Sequence, residues 1–273
     1  MSETLPEDRS PEPVTVESIG TDLRDLGVEP GGTVLVHGSL SSLGWVCGGA
    51  PAVVDALQRV VGADGTVVMP THSAGNSEPS RWENPPVPEE WYEPIRETMP
   101  PYRPDVTPTR GMGAIAECFR SCPGVSRSDH PQHSFAAWGA DDDFVTDGHS
   151  LDHSLGEGSP LARVYDLGGD VLFLGTTHVT HATNTSLHLA EYRADLDPGT
   201  ETQGGAVLVD GERKWVEWTD LAFDDGDFPE CGAAFERERP DAVERGAVGV
   251  GDAALVAQRE LIDFGVEWFE ANR

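Results

Sequence analysis

The apolar residues of this chain fall into short runs separated by glycine, proline and acidic residues. Two runs, TVLVH at 33–37 and TVVMP at 66–70, are continuous and too short for helices, which predicts strands buried on both faces. Between them Gly48, Gly49 and Pro51 open AVVDALQRVV, a helix over 52–61, and Asp64 and Gly65 turn the chain into the second strand. Strand, loop, helix, strand is the unit of a parallel sheet covered by helices. VLFLG at 171–175 reads as a third buried strand, and residues 16–27, ending at Gly27, and 112–120 read as helices. Residues 251–272 place Leu255, Leu261, Ile262, Phe264, Trp268 and Phe269 on an amphipathic helix. GAVLVDGERKWVEW at 205–218 alternates around Asp210 and Gly211, a hairpin signal. The pattern predicts an α/β fold: a single domain with a largely parallel central sheet, helices on both faces and a β-hairpin insertion.

Two stretches lack periodicity. Residues 76–108 are rich in Pro and Trp, as in a binding wall or lid. The opening MSETLPEDRSPEP reads as a short disordered acidic tail over 1–14, leaving one domain over 15–273.

Composition narrows the class of partner. The 273 residues carry 48 Asp and Glu against 18 Lys and Arg, a formal charge of −30. The one lysine is Lys214. Such a surface fits a protein working in concentrated salt, where self-repulsion is screened over a few ångströms. It excludes DNA, RNA and anionic membranes as partners, which require basic patches. No run approaches the ~18 apolar residues of a membrane span. Cys47, Cys118, Cys122 and Cys231 form no C-x-x-C pair, so a reduced, cytoplasmic protein is expected, either a monomer or a homodimer.

The chemistry concentrates in NTSLHLAE at 184–191. Asn184 and Thr185 can cap a helix start. His188 and Glu191, spaced i and i+3, then leave one face of that helix. A carboxylate beside an imidazole fixes its tautomer and stabilises the imidazolium, as a general base near neutral pH requires. HGSLSSLGWVCGG at 37–49 is a Gly- and Ser-rich connection whose backbone N–H groups can approach a ligand closely, but it has neither the lysine of a P-loop nor the G-x-G-x-x-G spacing. PTHSAG at 70–75 ends the second strand. Ligands bind at the carboxyl ends of such strands, so His37, His72 and residues 176–191 should converge on one crevice. His178, His181 and His188 offer a zinc alternative, as would the i, i+4 pair His149 and His153, although no H-E-x-x-H is present and no metal is expected. His130 and His133 read as hydrogen-bonded or loop residues, Cys47 is a conceivable nucleophile, and G-x-S-x-G is absent.

Taken together, seven ordered segments resemble the aminoglycoside 3-N-acetyltransferase family: 36–57, 62–73, 107–120, 127–139, 156–175, 184–193 and 248–268. The common acetyltransferase superfamily is a poorer match, because RGMGAI at 110–115 fails the last position of its [QR]-x-x-G-x-[GA] loop. The resemblance implies acetyl transfer from acetyl-CoA to an amine, directly and without an acyl-enzyme. His188 would take the amine proton and Glu191 would orient it. The cosubstrate would lie against His37, Ser39, Leu40, Ser41, Gly44, Gly48, Gly49, Thr71, Ser73, Thr109, Gly111, Met112 and Gly113, and the acceptor beside 76–106. A zinc-dependent amide hydrolase and a non-catalytic CoA- or amine-binding protein are the alternatives.

Overall fold

A computed structural model describes residues 6–176 and 184–273. Nine strands are present among them: β1 (Thr33–Gly38), β2 (Thr66–Pro70), β3 (Ser126–Arg127), β4 (Phe135–Gly139), β5 (Asp170–Leu174), β6 (Thr200–Val209), β7 (Glu212–Leu221), β8 (Val243–Val248) and β9 (Gly251–Ala257). Seven form one sheet in the order β3-β4-β2-β1-β5-β9-β8, and β6 and β7 form a separate hairpin. Helices α1 (Pro6–Arg9), α2 (Val16–Asp25), α3 (Ala50–Val61), α4 (Tyr92–Thr98) and α5 (Gly113–Phe119) come from the first half of the chain. The second half contributes α6 (Asp142–Thr146), α7 (Pro160–Leu167), α8 (Ser186–Arg193), α9 (Phe228–Glu238) and α10 (Gln258–Asn272).

The sheet is parallel where the strand–helix–strand pattern predicts it: β1 pairs in parallel with β2 and with β5. Both flanks are antiparallel, β4 on β2, β3 on β4, β9 on β5 and β8 on β9, so the sheet is mixed and not largely parallel as expected: parallel pairing is confined to its centre, where helices cross between strands. Alternation along the buried strands divides the core in two. Val34, Val36, Val67, Met69, Leu172 and Leu174 face one layer, with Ile19 of α2, Leu57 of α3 and Phe119 of α5. Leu35, Val68, Val171 and Phe173 face the other, with Leu161 of α7, Leu187 of α8, Phe235 of α9 and Ile262 of α10. Each strand is thus buried on both sides, which is why its sequence reads as a continuous apolar run.

Most predicted elements fall within two residues of their place. The predicted hairpin is longer than expected, and its turn residues Asp210 and Gly211 both have positive φ, 53° and 79°, as a two-residue turn matched to strand twist requires. Two further corrections follow. Residues 251–257 are strand β9, not the start of a helix: GDAALVA is buried at Ala253, Ala254, Leu255 and Val256, and short apolar runs do not distinguish buried strand from buried helix. Strands β3, β4 and β8 carry no clear period and are absent from the sequence reading. In the span 1–14 expected as a tail, the described residues include helix α1 and contacts to the loop after β1. The Arg9 guanidinium donates to the Gly44 carbonyl (2.9 Å), the Ser10 hydroxyl accepts from the Trp45 N–H (3.1 Å), and Val14 bridges Val46. Buried Ser10 and Val14 are the small side chains that let an acidic stretch pack.

Candidate active site

The carboxyl ends of β1, β2 and β5 open onto one cavity of about 620 Å³. Its wall brings together His37 and residues 38–41 after β1, Pro70 and His72 after β2, Thr176 after β5, residues 111–116 around the start of α5, and His188 of α8. The convergence expected of three strand ends is therefore present.

His188 and Glu191 do share one face of α8. The His188 Nδ1 and Glu191 Oε2 lie 2.7 Å apart, and the two side chains are 13% and 3% exposed. Because the carboxylate only accepts, Nδ1 carries the proton and donates, which leaves Nε2 as the basic nitrogen. The other carboxylate oxygen is also fixed, accepting from Arg273 Nη1 (2.7 Å) and the Asp224 N–H (3.2 Å). Phe223 and Phe228 pack edgewise on the imidazole, with centroids 4.7 and 4.9 Å away. The ring cannot swing without breaking these contacts.

Neither expected cap acts as one. Thr185 makes no side-chain cap bond; its hydroxyl lies 3.3 Å from His37 Nε2 instead. Both side-chain polar atoms of Asn184 are buried without a partner among the described residues. The start of α8 is thus spent on tying the helix to β1.

His37 stacks on Phe173 at 5.5 Å, and burial lowers its pKa to about 4. His72 is held well below the ordinary imidazole value, first by burial and then by its neighbours His133 and His188. Behind it lies a buried network. His133 donates from Nδ1 to the Ser154 hydroxyl (2.6 Å), which donates to Asp220 (2.8 Å). His149 contacts Ser128 and the Ser154 carbonyl, and His130 accepts the backbone N–H of Gln132 and of His133. Desolvation keeps all of these imidazoles neutral, with His133 near 3 and His149 near 4. His130, His133 and His149 hold the wall together behind the cavity, whereas His37 and His72 line it.

The i, i+4 reading of His149 and His153 fails, since residues 149–154 form no helix and His153 packs on Tyr192. His178 and His181 of the zinc alternative lie outside the described residues. Among the described residues, no group of three or more His, Cys, Asp and Glu is placed to hold a metal ion.

Of the residues expected against the cosubstrate, His37, Ser39, Leu40, Ser41, Gly111, Met112 and Gly113 line the cavity. Gly44, Gly48 and Gly49 do not, although Gly44 has a clear duty: with φ 94° its backbone meets Ser10 and Val250 too closely for a side chain. Thr71 and Ser73 are buried against Arg127, whose Nη2 donates to the Thr71 carbonyl (2.6 Å) and the Ser73 hydroxyl (2.8 Å). Thr109 is bound to Glu117 and, with Ser73, borders a second cavity of about 440 Å³ walled by residues 99–101 and 106–110. Cys47 is exposed and apart from both cavities. Sequence reasoning missed Arg9, Arg273, Phe223 and Phe228, because each comes from an element with no motif of its own; it missed Arg127 because nothing in the segment 127–139 announces the contact with Thr71 and Ser73.

A conserved-family model for aminoglycoside 3-N-acetyltransferases matches residues 35–270. The chain belongs to the aminoglycoside 3-N-acetyltransferase family. Among this family's members, it is 47% identical to the SPbeta prophage-derived aminoglycoside N(3′)-acetyltransferase-like protein YokD of Bacillus subtilis, over 95% of this chain and 94% of that one. It is 37% identical to aminoglycoside N(3)-acetyltransferase VII of Streptomyces paromomycinus, over 96% and 93% of the two chains. The crystal structure of the B. subtilis YokD protein superposes with a TM-score of 0.92, covering 96% of each chain at 45% identity. The structure of AAC-IIIb as a binary complex with CoASH superposes with a TM-score of 0.84 at 30% identity, covering 95% of this chain and 97% of that one. Both superposed structures share this chain's fold over nearly its full length.

Proposed function

We propose that this chain transfers acetyl from acetyl-CoA to an amino group of an aminoglycoside, the 3-amino group of a 2-deoxystreptamine ring, with His188 as general base. The observation that carries the reading is that His188, held by Glu191, lines the same cavity as the loop after β1. The amine attacks in its neutral form, and its nitrogen must shed a proton as the amide bond forms. The amine nitrogen attacks the thioester carbon while its proton passes to His188 Nε2. The tetrahedral intermediate then expels CoA thiolate, which recovers that proton from the imidazolium.

Glu191 holds the tautomer and balances the imidazolium. Acid–base assistance of this kind contributes roughly 10²–10⁴-fold, and positioning the two substrates supplies the rest. Backbone N–H groups of residues 40–41 and 111–113 are available to the thioester arm. Arg9, the only Arg or Lys on the described wall of the cavity, is available to the CoA phosphates. The acidic surface suits a cytoplasm of high salt and the approach of a polycationic acceptor.

The test is thiol release from acetyl-CoA in molar KCl, screened against aminoglycosides and simple amines. Release that depends on an aminoglycoside supports the reading. Release with none of the amines, from protein that binds CoA, refutes the acyltransferase and leaves a binding protein.

A further inference from the structure

Glu191 is almost wholly buried, and a carboxylate in that position needs a partner for each oxygen. His188 occupies one, and Arg273 and the Asp224 N–H occupy the other. The guanidinium of Arg273 is itself clamped independently of Glu191. It meets Asp227 through two donors, Nε to Oδ2 (2.8 Å) and Nη2 to Oδ1 (2.6 Å). Nη2 also donates to the Asp224 carbonyl (2.6 Å), and the guanidinium carbon sits 4.0 Å from the Phe269 ring centre. Four of the five guanidinium N–H groups are thereby directed.

Two features make this more than an ion pair. Residues 223–228 supply both the aromatic walls of the His188 ring, Phe223 and Phe228, and both anchors of the arginine, Asp224 and Asp227. The charges also match the reaction. The side chains of Glu191, Asp227 and Arg273 together carry one net negative charge, which the imidazolium formed at His188 neutralises. We infer that Arg273 is a positioning residue of the acetyl transfer: its pre-set guanidinium fixes the plane of Glu191, and through it the direction in which His188 presents Nε2. The inference rests on the acetyl-transfer reading above and extends it to a residue 82 positions from Glu191 in sequence.

The experiment compares wild type, Arg273→Ala and Arg273→Lys in steady-state thiol release, with and without added guanidinium ion at tens of millimolar. Orienting partners one contact removed from a working imidazole are worth about 10–100-fold in activity. Arg273→Ala is therefore expected to lose about 10–100-fold in kcat, with KM for acetyl-CoA within about twofold and part of the loss restored by guanidinium. Arg273→Lys keeps the charge without the fork, so it should recover less than guanidinium does. A kcat for Arg273→Ala within about twofold of wild type overturns the inference, as does a loss that guanidinium leaves unchanged. Should Arg273→Ala fail to fold, Asp227→Asn is read instead: it keeps the arginine but loosens it, and kcat must fall severalfold, an unchanged kcat overturning the inference. Failure of the underlying reading looks different, because wild type would then release no thiol or His188→Ala would retain turnover.

Discussion

Replacing Glu191 with Gln tests the wiring of the site with almost no change in shape. In the native arrangement Oε2 accepts from His188 Nδ1 at 2.7 Å, while Oε1 accepts from Arg273 at 2.7 Å and the Asp224 N–H at 3.2 Å. A glutamine offers one acceptor and one donor end. Turned with its oxygen towards Arg273 and Asp224, it presents NH2 to Nδ1, so the imidazole must carry its proton on Nε2, the nitrogen that has to be free. The opposite turn restores the tautomer but breaks the hydrogen bonds from Arg273 and the Asp224 N–H; the one to the charged group alone costs about 1.5–3 kcal/mol, or roughly 10–150-fold in population. The imidazolium also loses its counter-charge. Unit charges 4 Å apart interact by about 4 kcal/mol at an effective dielectric of about 20, part of which is returned as desolvation. Together these place the fall in kcat at about 10²–10⁴-fold, with KM for acetyl-CoA within about twofold. The assay is thiol release at saturating amine, with the melting temperature measured alongside. A Glu191→Gln enzyme keeping more than about a tenth of wild-type kcat refutes the tautomer argument.

Other expectations concern the scaffold. Gly139 has φ 122°, and a Cβ there would lie 2.0 Å from the Gly65 carbonyl oxygen, so Gly139→Ala should destabilise by about 2–5 kcal/mol in denaturant titration; a loss below about 1 kcal/mol contradicts the register of β2 and β4. Asp220→Ala strips the acceptor from the Ser154 N–H, the Ser154 hydroxyl, Tyr192 and Trp218, and should cost more than about 3 kcal/mol; a change within about 1 kcal/mol would show that the network behind His133 is dispensable. Acid should unfold the protein early. The lowered histidines, His37 and His149 to about 4 and His133 to about 3, with His72 and His130 lower than usual, bind protons in the unfolded chain near pH 6.5 but not in the folded one. Stability is therefore full above pH 6.5 and falls as pH drops towards 4, opposed by Asp170, raised to about 6, and Asp220, also raised, both of which protonate more readily when folded. Near pH 5 the denaturation midpoint, followed at constant molar KCl, should show uptake of about two or more protons on unfolding; a flat profile contradicts the burial of these rings as neutral groups.

How much of this was legible depends on how local the signal is. β1, β2 and β5 declare themselves because both faces of each are buried, and the hairpin because Asp210 and Gly211 accept positive φ. His188 and Glu191 are three residues apart on one helix, so a single turn of geometry predicts their contact. Arg273 meets Glu191 only because α8 and α10 pack together, and Arg127 reaches Thr71 and Ser73 only because β3 pairs with β4, which lies beside β2. No local pattern encodes either contact. Strand β9 was misread for a related reason: its alanines and leucine favour helix in isolation, and the pairing with β5 and β8 overrides that preference. Thr185 looked like a cap because nothing in its neighbourhood announces His37, 148 residues earlier.

The central claim is that one imidazole removes the amine proton in a cavity shared with the thioester. Its most direct test is His188→Ala, measured twice on the same preparation: CoA binding by calorimetry and acetyl transfer by thiol release. Affinity for CoA within about threefold of wild type together with a loss of about 10²–10⁴-fold or more in turnover is the predicted result. Turnover near the wild-type rate in that variant would contradict the account.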